Sequence, residues 1–151
     1  MFRGGFEHTI DDKGRVIIPQ KFRYQLGEKF IITKGIGGCL FILTEDEWRV
    51  NFDDKFEAQH ILDPNTTRLQ RFFCAEALDA SVDAQGRVAI TSPLREWAGI
   101  APQSEVMIVG MTNRLEMWSK ERWTTFNSEI SEADLIASAM AIGVGRPPAV
   151  P

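Results

Sequence analysis

Cysteine is scarce in this 151-residue sequence, with only Cys39 and Cys74. They lie far apart and form no C-x-x-C pair. They fit two free thiols in a reducing cytoplasm and cannot build a zinc site alone. Histidine is equally scarce, and neither His8 nor His60 has a partner at metal-ligand spacing, so no metal site is expected. No apolar run approaches the roughly 18–20 residues of a membrane-spanning helix. Met1–Phe6 carries Arg3 but no apolar stretch behind it, so no secretory signal is expected. No G-x-x-x-x-G-K phosphate loop occurs, and no Ser-His-Asp or Cys-His set has local motif context. Catalytic residues and cofactors are therefore expected to be absent. A general excess of positive charge is missing too, since the net charge is −4.

That charge is unevenly spread. Residues 1–35 hold seven Lys/Arg against four Asp/Glu, a net of +3, whereas residues 36–79 hold four against nine, a net of −5. Such asymmetry allows a basic face on an acidic body. Apolar residues make up 44% and charged residues 25%, the balance of a globular protein, and the length suits one ordinary domain or two small ones.

The sequence repeats itself. HTIDDKGRVIIPQKFRYQLG (8–27) lies over ASVDAQGRVAITSPLREWAG (80–99), and seven of the 20 pairs are identical. These are Asp11/Asp83, Gly14/Gly86, Arg15/Arg87, Val16/Val88, Ile18/Ile90, Arg23/Arg95 and Gly27/Gly99. Further on, Leu40 and Trp48 match Leu115 and Trp123. Each repeat reads as strand, turn, strand, short helix, strand, turn, strand. Thr9–Asp11 and Ser81–Asp83 are expected to be short extended runs, and Val16–Ile18 and Val88–Ile90 β-branched strands. Pro19 and Pro93 open short helices that Gly27 and Gly99 close. Phe30–Thr33 and Cys39–Leu43 form a hairpin across Gly35–Gly38, where glycines serve the turn. Val106–Gly110 and Leu115–Trp118 are its counterpart.

Helices are expected after each repeat. Thr44 to Glu47 reads as a capping box ahead of Trp48, Phe52 and Phe56. Pro64 starts a segment carrying Leu69, Phe72, Phe73 and Leu78. Ser119 is the expected N-cap of a helix with Trp123 and Phe126. Ser131 to Asp134 is a second capping box, ahead of Leu135, Ile136 and Met140. One repeat of about 35 residues buries too little apolar surface to stand alone. Two repeats packing as an internal pseudo-dimer solve that problem.

The chemistry-bearing element is the repeated turn, Asp11-Asp12-Lys13-Gly14-Arg15 and Asp83-Ala84-Gln85-Gly86-Arg87. Gly14 and Gly86 permit tight turns and close backbone approach. Arg15 and Arg87 offer planar donor forks suited to phosphate or to a guanine edge. Lys13 and Gln85 extend from the same turns, and Arg3, Lys21 and Arg23 can enlarge the basic face; solvated surface charge is the competing reading of Lys21, and bracing of the short helix explains Arg23 and its match Arg95 equally well. Asp11 and Asp83 are expected to orient the turn and to hold the arginine. A simple structural ion pair is the competing reading of each Asp–Arg pair.

Met1-Phe2-Arg3-Gly4, His8-Thr9-Ile10-Asp11-x-Lys13-Gly14-Arg15-Val16, Pro19-x-x-Phe22-Arg23 and the second D-x-x-G-R-V, with Leu94-Arg95-x-x-Ala98-Gly99, resemble the MraZ family. That family sits within the AbrB-like swapped-hairpin superfamily, and the resemblance spans roughly residues 1–142. It implies a mixed α+β fold with a mainly β core: two AbrB-like repeats forming an intrachain pseudo-dimer, with flanking amphipathic helices. The expected layout is a first repeat at 5–48, linking helices at 49–76, a second repeat at 77–123, C-terminal helices at 124–142 and a disordered tail at 143–151. The implied function is that of a cytoplasmic, nucleoid-associated transcription regulator, not an enzyme, without cofactor or membrane partner. Relatives bind direct repeats in promoter DNA as ring-shaped homo-oligomers. They usually repress the division and cell-wall gene cluster, including their own gene. Carried onto this sequence, the family motif falls on Asp11 and Arg15 and on Asp83 and Arg87, and Lys13 fits its basic loop; with Arg3 and Gln85 added from the residues themselves, the expected DNA-binding positions are Arg3, Lys13, Arg15, Gln85 and Arg87, with Asp11, Gly14, Asp83 and Gly86 orienting the turns. Gln85 and Thr91 depart from the first repeat, which has Lys13 and Pro19 there. The alternative is an AbrB-like antitoxin or protein-interaction module.

Overall fold

Strands rich in β-branched and apolar residues form the centre. The computed structural model describes residues 1–145. In chain order the strands are β1 (Gly5–Thr9), β2 (Arg15–Ile17), β3 (Phe30–Gly35), β4 (Cys39–Thr44), β5 (Leu78–Ala80), β6 (Arg87–Ala89), β7 (Glu105–Gly110) and β8 (Leu115–Ser119). The helices are α1 (Gln20–Leu26), α2 (Glu45–Trp48), α3 (Asp54–Glu57), α4 (Pro64–Phe73), α5 (Ser92–Ala98), α6 (Lys120–Ser128) and α7 (Glu132–Ile142).

Six strands make one antiparallel sheet in the order β1-β7-β8-β4-β3-β5, and β2 and β6 pair separately as a two-stranded ribbon. The order exposes the repeat. A pseudo-twofold exchanges β1 with β5, β3 with β7, β4 with β8 and β2 with β6. Each repeat's first strand pairs with the other repeat's hairpin: Gly5–Thr9 runs along Val109–Glu105, and Ala80–Leu78 along Phe30–Ile32. This is the swapped pseudo-dimer the repeat demands. Residues 1–120 form a single compact unit.

Burial follows from this crossing. β4 and β8 are the central strands, and Leu40, Ile42, Leu115 and Met117 are fully enclosed. Val16 and Val88 anchor the ribbon, while Phe22 and Leu94 anchor α1 and α5 in the same core. At the rim, buried Glu116 accepts hydrogen bonds from Arg114 (2.8 Å from Nη2) and from Trp118 Nε1 (3.0 Å). Arg114 lies 4.7 Å over the Phe41 ring. Trp97 Nε1 donates to Gly35 O at 3.0 Å and ties α5 to β3. Thr33 Oγ1 donates to Phe73 O and ties α4 to the same strand.

Several local expectations need correction. β1 and β5 end before Asp11 and Asp83, at Thr9 and Ala80, because the partner strands β7 and β3 set the ladder. Leu78 is not helical; it opens β5 opposite Ile32. Thr44 does cap α2, accepting from Glu47 N at 3.1 Å, but the box is half made. The Glu47 carboxylate instead accepts from Asn51 Nδ2 at 2.8 Å. The helical run after it is interrupted by a π-helical stretch over Arg49–Asp53. Trp48 and Phe52 nevertheless stay together, with ring centroids 4.7 Å apart, and Phe52 lies 4.7 Å from Phe73.

Residues from Glu121 onward form a second unit. Within it, Ser131 and Asp134 make a complete capping box at the start of α7, and Gly143 ends that helix in the left-handed region. Leu135, Ile136, Met140 and Ile142 are exposed along α7. Of the tail expected at 143–151, residues 146–151 lie outside the described residues.

Candidate nucleic-acid interface

The two turns are built alike, atom for atom. Asp11 N donates to Arg15 O at 2.8 Å, and Gly14 N donates to Asp11 O at 3.1 Å. One Asp11 carboxylate oxygen accepts from Lys13 N (2.9 Å) and Arg15 N (2.8 Å); the other accepts from Arg15 Nε at 2.7 Å. In the second turn Asp83 accepts from Gln85 N, Arg87 N and Arg87 Nε, each at 2.9 Å. The aspartate thus fastens the turn and the arginine at once. The hydrogen bonds from Arg15 and Arg87 backbone N–H groups, aided by their side chains, hold both carboxyls below the usual carboxylate range.

Glycine is required at both turn positions, because Gly14 and Gly86 have φ of +76° and +78°. Each also lies under an arginine from the other repeat. A methyl group at Gly14 would meet Arg95 Nε at 3.0 Å, and one at Gly86 would overlap the Arg23 guanidinium. Arg95 also donates to Ile90 O at 3.1 Å and to Ser92 Oγ at 3.0 Å, so it braces the start of α5. Arg23 makes no comparable hydrogen bond among the described residues. The match of Arg23 to Arg95 between the repeats was the only sign of this crossing, and spacing alone does not reveal it.

The ribbon brings the turns together. Ile18 N donates to Gly86 O at 3.0 Å and Ile90 N to Gly14 O at 2.8 Å, so each turn closes against the strand of the other. Val16 pairs with Val88, Arg15 with Ala89 and Ile17 with Arg87. Both valines are buried, so strand alternation sends Arg15, Ile17, Arg87 and Ala89 to the outer face. Arg15 and Arg87 are diagonal neighbours there, with backbones roughly 7–8 Å apart. Their side chains keep 30% and 29% exposure. Because the aspartates engage Nε, no acceptor among the described residues takes the Nη groups of Arg15; Arg87 Nη2 reaches Gln85 Oε1 at 3.4 Å. Lys13 and Gln85 are exposed beside them.

Arg3 is not part of this cluster. It precedes β1 and its backbone packs against Gly110, whereas Asp11 follows β1, so the length of that strand separates Arg3 from the first turn. Lys21 Nζ donates to Arg3 O at 3.1 Å. His8 is half-buried, and burial lowers its pKa. Cys39 is buried, its thiol pushed up to about 12 chiefly by that burial, while Cys74 is exposed; both are free. No group of metal-binding side chains occurs among the described residues. No helix among them is long and apolar enough to cross a membrane.

A family model described as "MraZ protein, putative antitoxin-like" matches twice, over residues 1–72 and 73–142. The "Transcriptional regulator MraZ" of Caldanaerobacter subterraneus subsp. tengcongensis is 46% identical over 127 residues, which is 84% of this chain and 87% of that protein. The protein of the same name from Acetivibrio thermocellus is 43% identical over 143 residues, 94% of this chain and 98% of its own length. That from Clostridium beijerinckii is 39% identical over 140 residues, covering 93% and 96%. These relatives are named as regulators, not as enzymes. With the swapped repeats and the doubled Asp–Arg turn, these matches establish that the chain belongs to the MraZ family.

Proposed function

We propose that this chain is a DNA-binding transcription regulator that engages promoter DNA through the outer face of the β2–β6 ribbon and its two turns. The observation that carries this reading is the Asp–Arg geometry. Each aspartate holds its arginine by Nε, which fixes the guanidinium while the Nη edge of Arg15 remains available for a phosphate or a guanine. A two-stranded ribbon fits the major groove of double-stranded DNA. Lys13, Arg15, Gln85 and Arg87 make the contacts, and Asp11, Gly14, Asp83 and Gly86 set the turns. Arg3 would reach DNA only at a separate point.

A single pair of turns binds weakly. Several subunits in a ring, set on short direct repeats, raise apparent affinity by about 10²–10⁴ when the spacings match. The exposed apolar residues of α7 supply surface for such assembly between copies. In this reading the protein represses the division and cell-wall gene cluster, including its own gene, and works at the nucleoid.

Fluorescence anisotropy with a labelled promoter fragment bearing direct repeats tests the site. Arg15→Ala and Arg87→Ala should each weaken binding at least tenfold, with melting unchanged within a few degrees. Wild-type affinity in both variants overturns the assignment. The antitoxin reading predicts instead that the purified protein carries a small protein partner.

A further inference from the structure

The two turns match in shape and in net formal charge but not in how the charge is placed: Asp12 and Lys13 of the first are Ala84 and Gln85 in the second. Lys13 of the first turn is replaced by Gln85 in the second, so the second carries one cation fewer. The arginines crossing from the other repeat differ in the opposite sense. Arg95, over Gly14, is held by Ile90 O and Ser92 Oγ. Arg23, over Gly86, has Gln20 in its own helix where the second repeat has Ser92. Among the described residues nothing accepts a hydrogen bond from Arg23, and no carboxylate pairs with it. Its guanidinium rests against Gly86, between Gln85 and Arg87 in the chain. It is half-buried and lines a surface cleft with Gln20, Lys21, Tyr24, Glu28 and Val82.

A half-buried arginine with no protein acceptor has guanidinium N–H groups available to an anion. Its planar donor fork matches phosphate oxygens. We infer that Arg23 binds a DNA backbone phosphate at the second turn, supplying from the first repeat the cation that Gln85 does not. Each turn then offers two cationic side chains to the DNA backbone: Lys13 and Arg15 on one side, Arg87 and Arg23 on the other. This inference rests on the ribbon being the DNA-binding face.

The test is the salt dependence of binding to the direct-repeat promoter duplex. Each lost phosphate contact lowers the slope of log K against log salt by about 0.9 for every engaged subunit, which is about fivefold in affinity near 0.15 M salt. Lys13→Gln serves as the measure of one lost contact in the first turn. Arg23→Gln should lower the slope by the same amount and leave the melting midpoint unchanged. Adding Gln85→Lys to Arg23→Gln should restore the slope. An unchanged slope in Arg23→Gln, or a weakened affinity that follows a fall in melting and is not restored by Gln85→Lys, overturns the proposal. If Lys13→Gln lowers the slope and Arg23→Gln does not, Arg23 alone is misassigned. If neither does, or if the wild type does not bind, the ribbon is not the DNA face and both readings fall.

Discussion

Alanine at Gly14 and at Gly86 should destabilise the protein unequally, and in the reverse of the order that simple overlap suggests. Both glycines have nearly the same positive φ, +76° and +78°, so the left-handed strain of an alanine, about 1–2 kcal/mol, is common to the two. The neighbours differ. At Gly14 the new methyl presses on Arg95 and, at 3.1 Å, on Ile90 O. Neither can move without loss, because Arg95 donates to Ile90 O and Ser92 Oγ and Ile90 N donates to Gly14 O. Breaking one or two such bonds adds about 0.5–1.5 kcal/mol each. Gly14→Ala should therefore cost about 2–4 kcal/mol. At Gly86 the overlap with Arg23 is far worse, but it falls on the end of a flexible side chain that makes no hydrogen bond. Arg23 swings aside, and Gly86→Ala should cost only the strain, about 1–2 kcal/mol. Urea unfolding at fixed protein concentration measures both. Each 1 kcal/mol corresponds to about 2–4 °C in Tm for a chain of this size. If Gly86→Ala proves the more damaging, Arg23 is anchored and the account of its freedom is wrong.

Other expectations follow from the rim and from the titrating groups. Glu116→Ala removes the acceptor of Arg114 and Trp118 at a buried site and should lower stability by about 2–3 kcal/mol, read by urea midpoint; a change under about 0.5 kcal/mol contradicts the role given to this network. Stability should fall with acid in two stages. His8 has a lowered pKa, so below its ordinary value of 6.5 the unfolded chain takes up a proton that the folded one resists. Asp11 and Asp83 are lowered from 3.8, so their contribution is complete above that pH and is lost as pH falls through their folded values. Urea midpoints from pH 8 to pH 3 check this; Asp11→Asn with Asp83→Asn should flatten the lower limb, and stability rising toward acid would contradict the signs.

Much of the architecture is written in the repeat. The matching Asp, Gly, Arg and Val at two places place the turns, the ribbon strands and the short helices behind Pro19 and Pro93. What the residues do not spell out is which repeat pairs with which. The crossing of β1 to β7 and of β5 to β3 is a long-range choice, and the ends of those strands are set by their partners. Leu78 shows the limit: its apolar character fits a helix face, yet Ile32 recruits it into a ladder. Asp11 and Asp83 were legible because their bonds to Arg15 and Arg87 are local, only four residues away. For Arg23 the sequence left two roles open, enlarging the basic face or bracing its short helix; its contact with Gly86, more than sixty residues along the chain, was not legible. Arg3 was grouped with the turns from nearness in sequence, and the extended β1 carries it away from them.

In the proposed reading the two Asp–Arg turns form one DNA-reading face. Its most direct test is anisotropy binding of the wild type and of Arg15→Ala/Arg87→Ala to a direct-repeat promoter duplex and to a scrambled duplex, across a range of salt. Tight, steeply salt-dependent binding of the wild type to the repeats, weak binding to the scrambled duplex, and loss of that preference in the double variant are expected. Equal binding of both duplexes by the wild type, or an undiminished preference in the double variant, would contradict it.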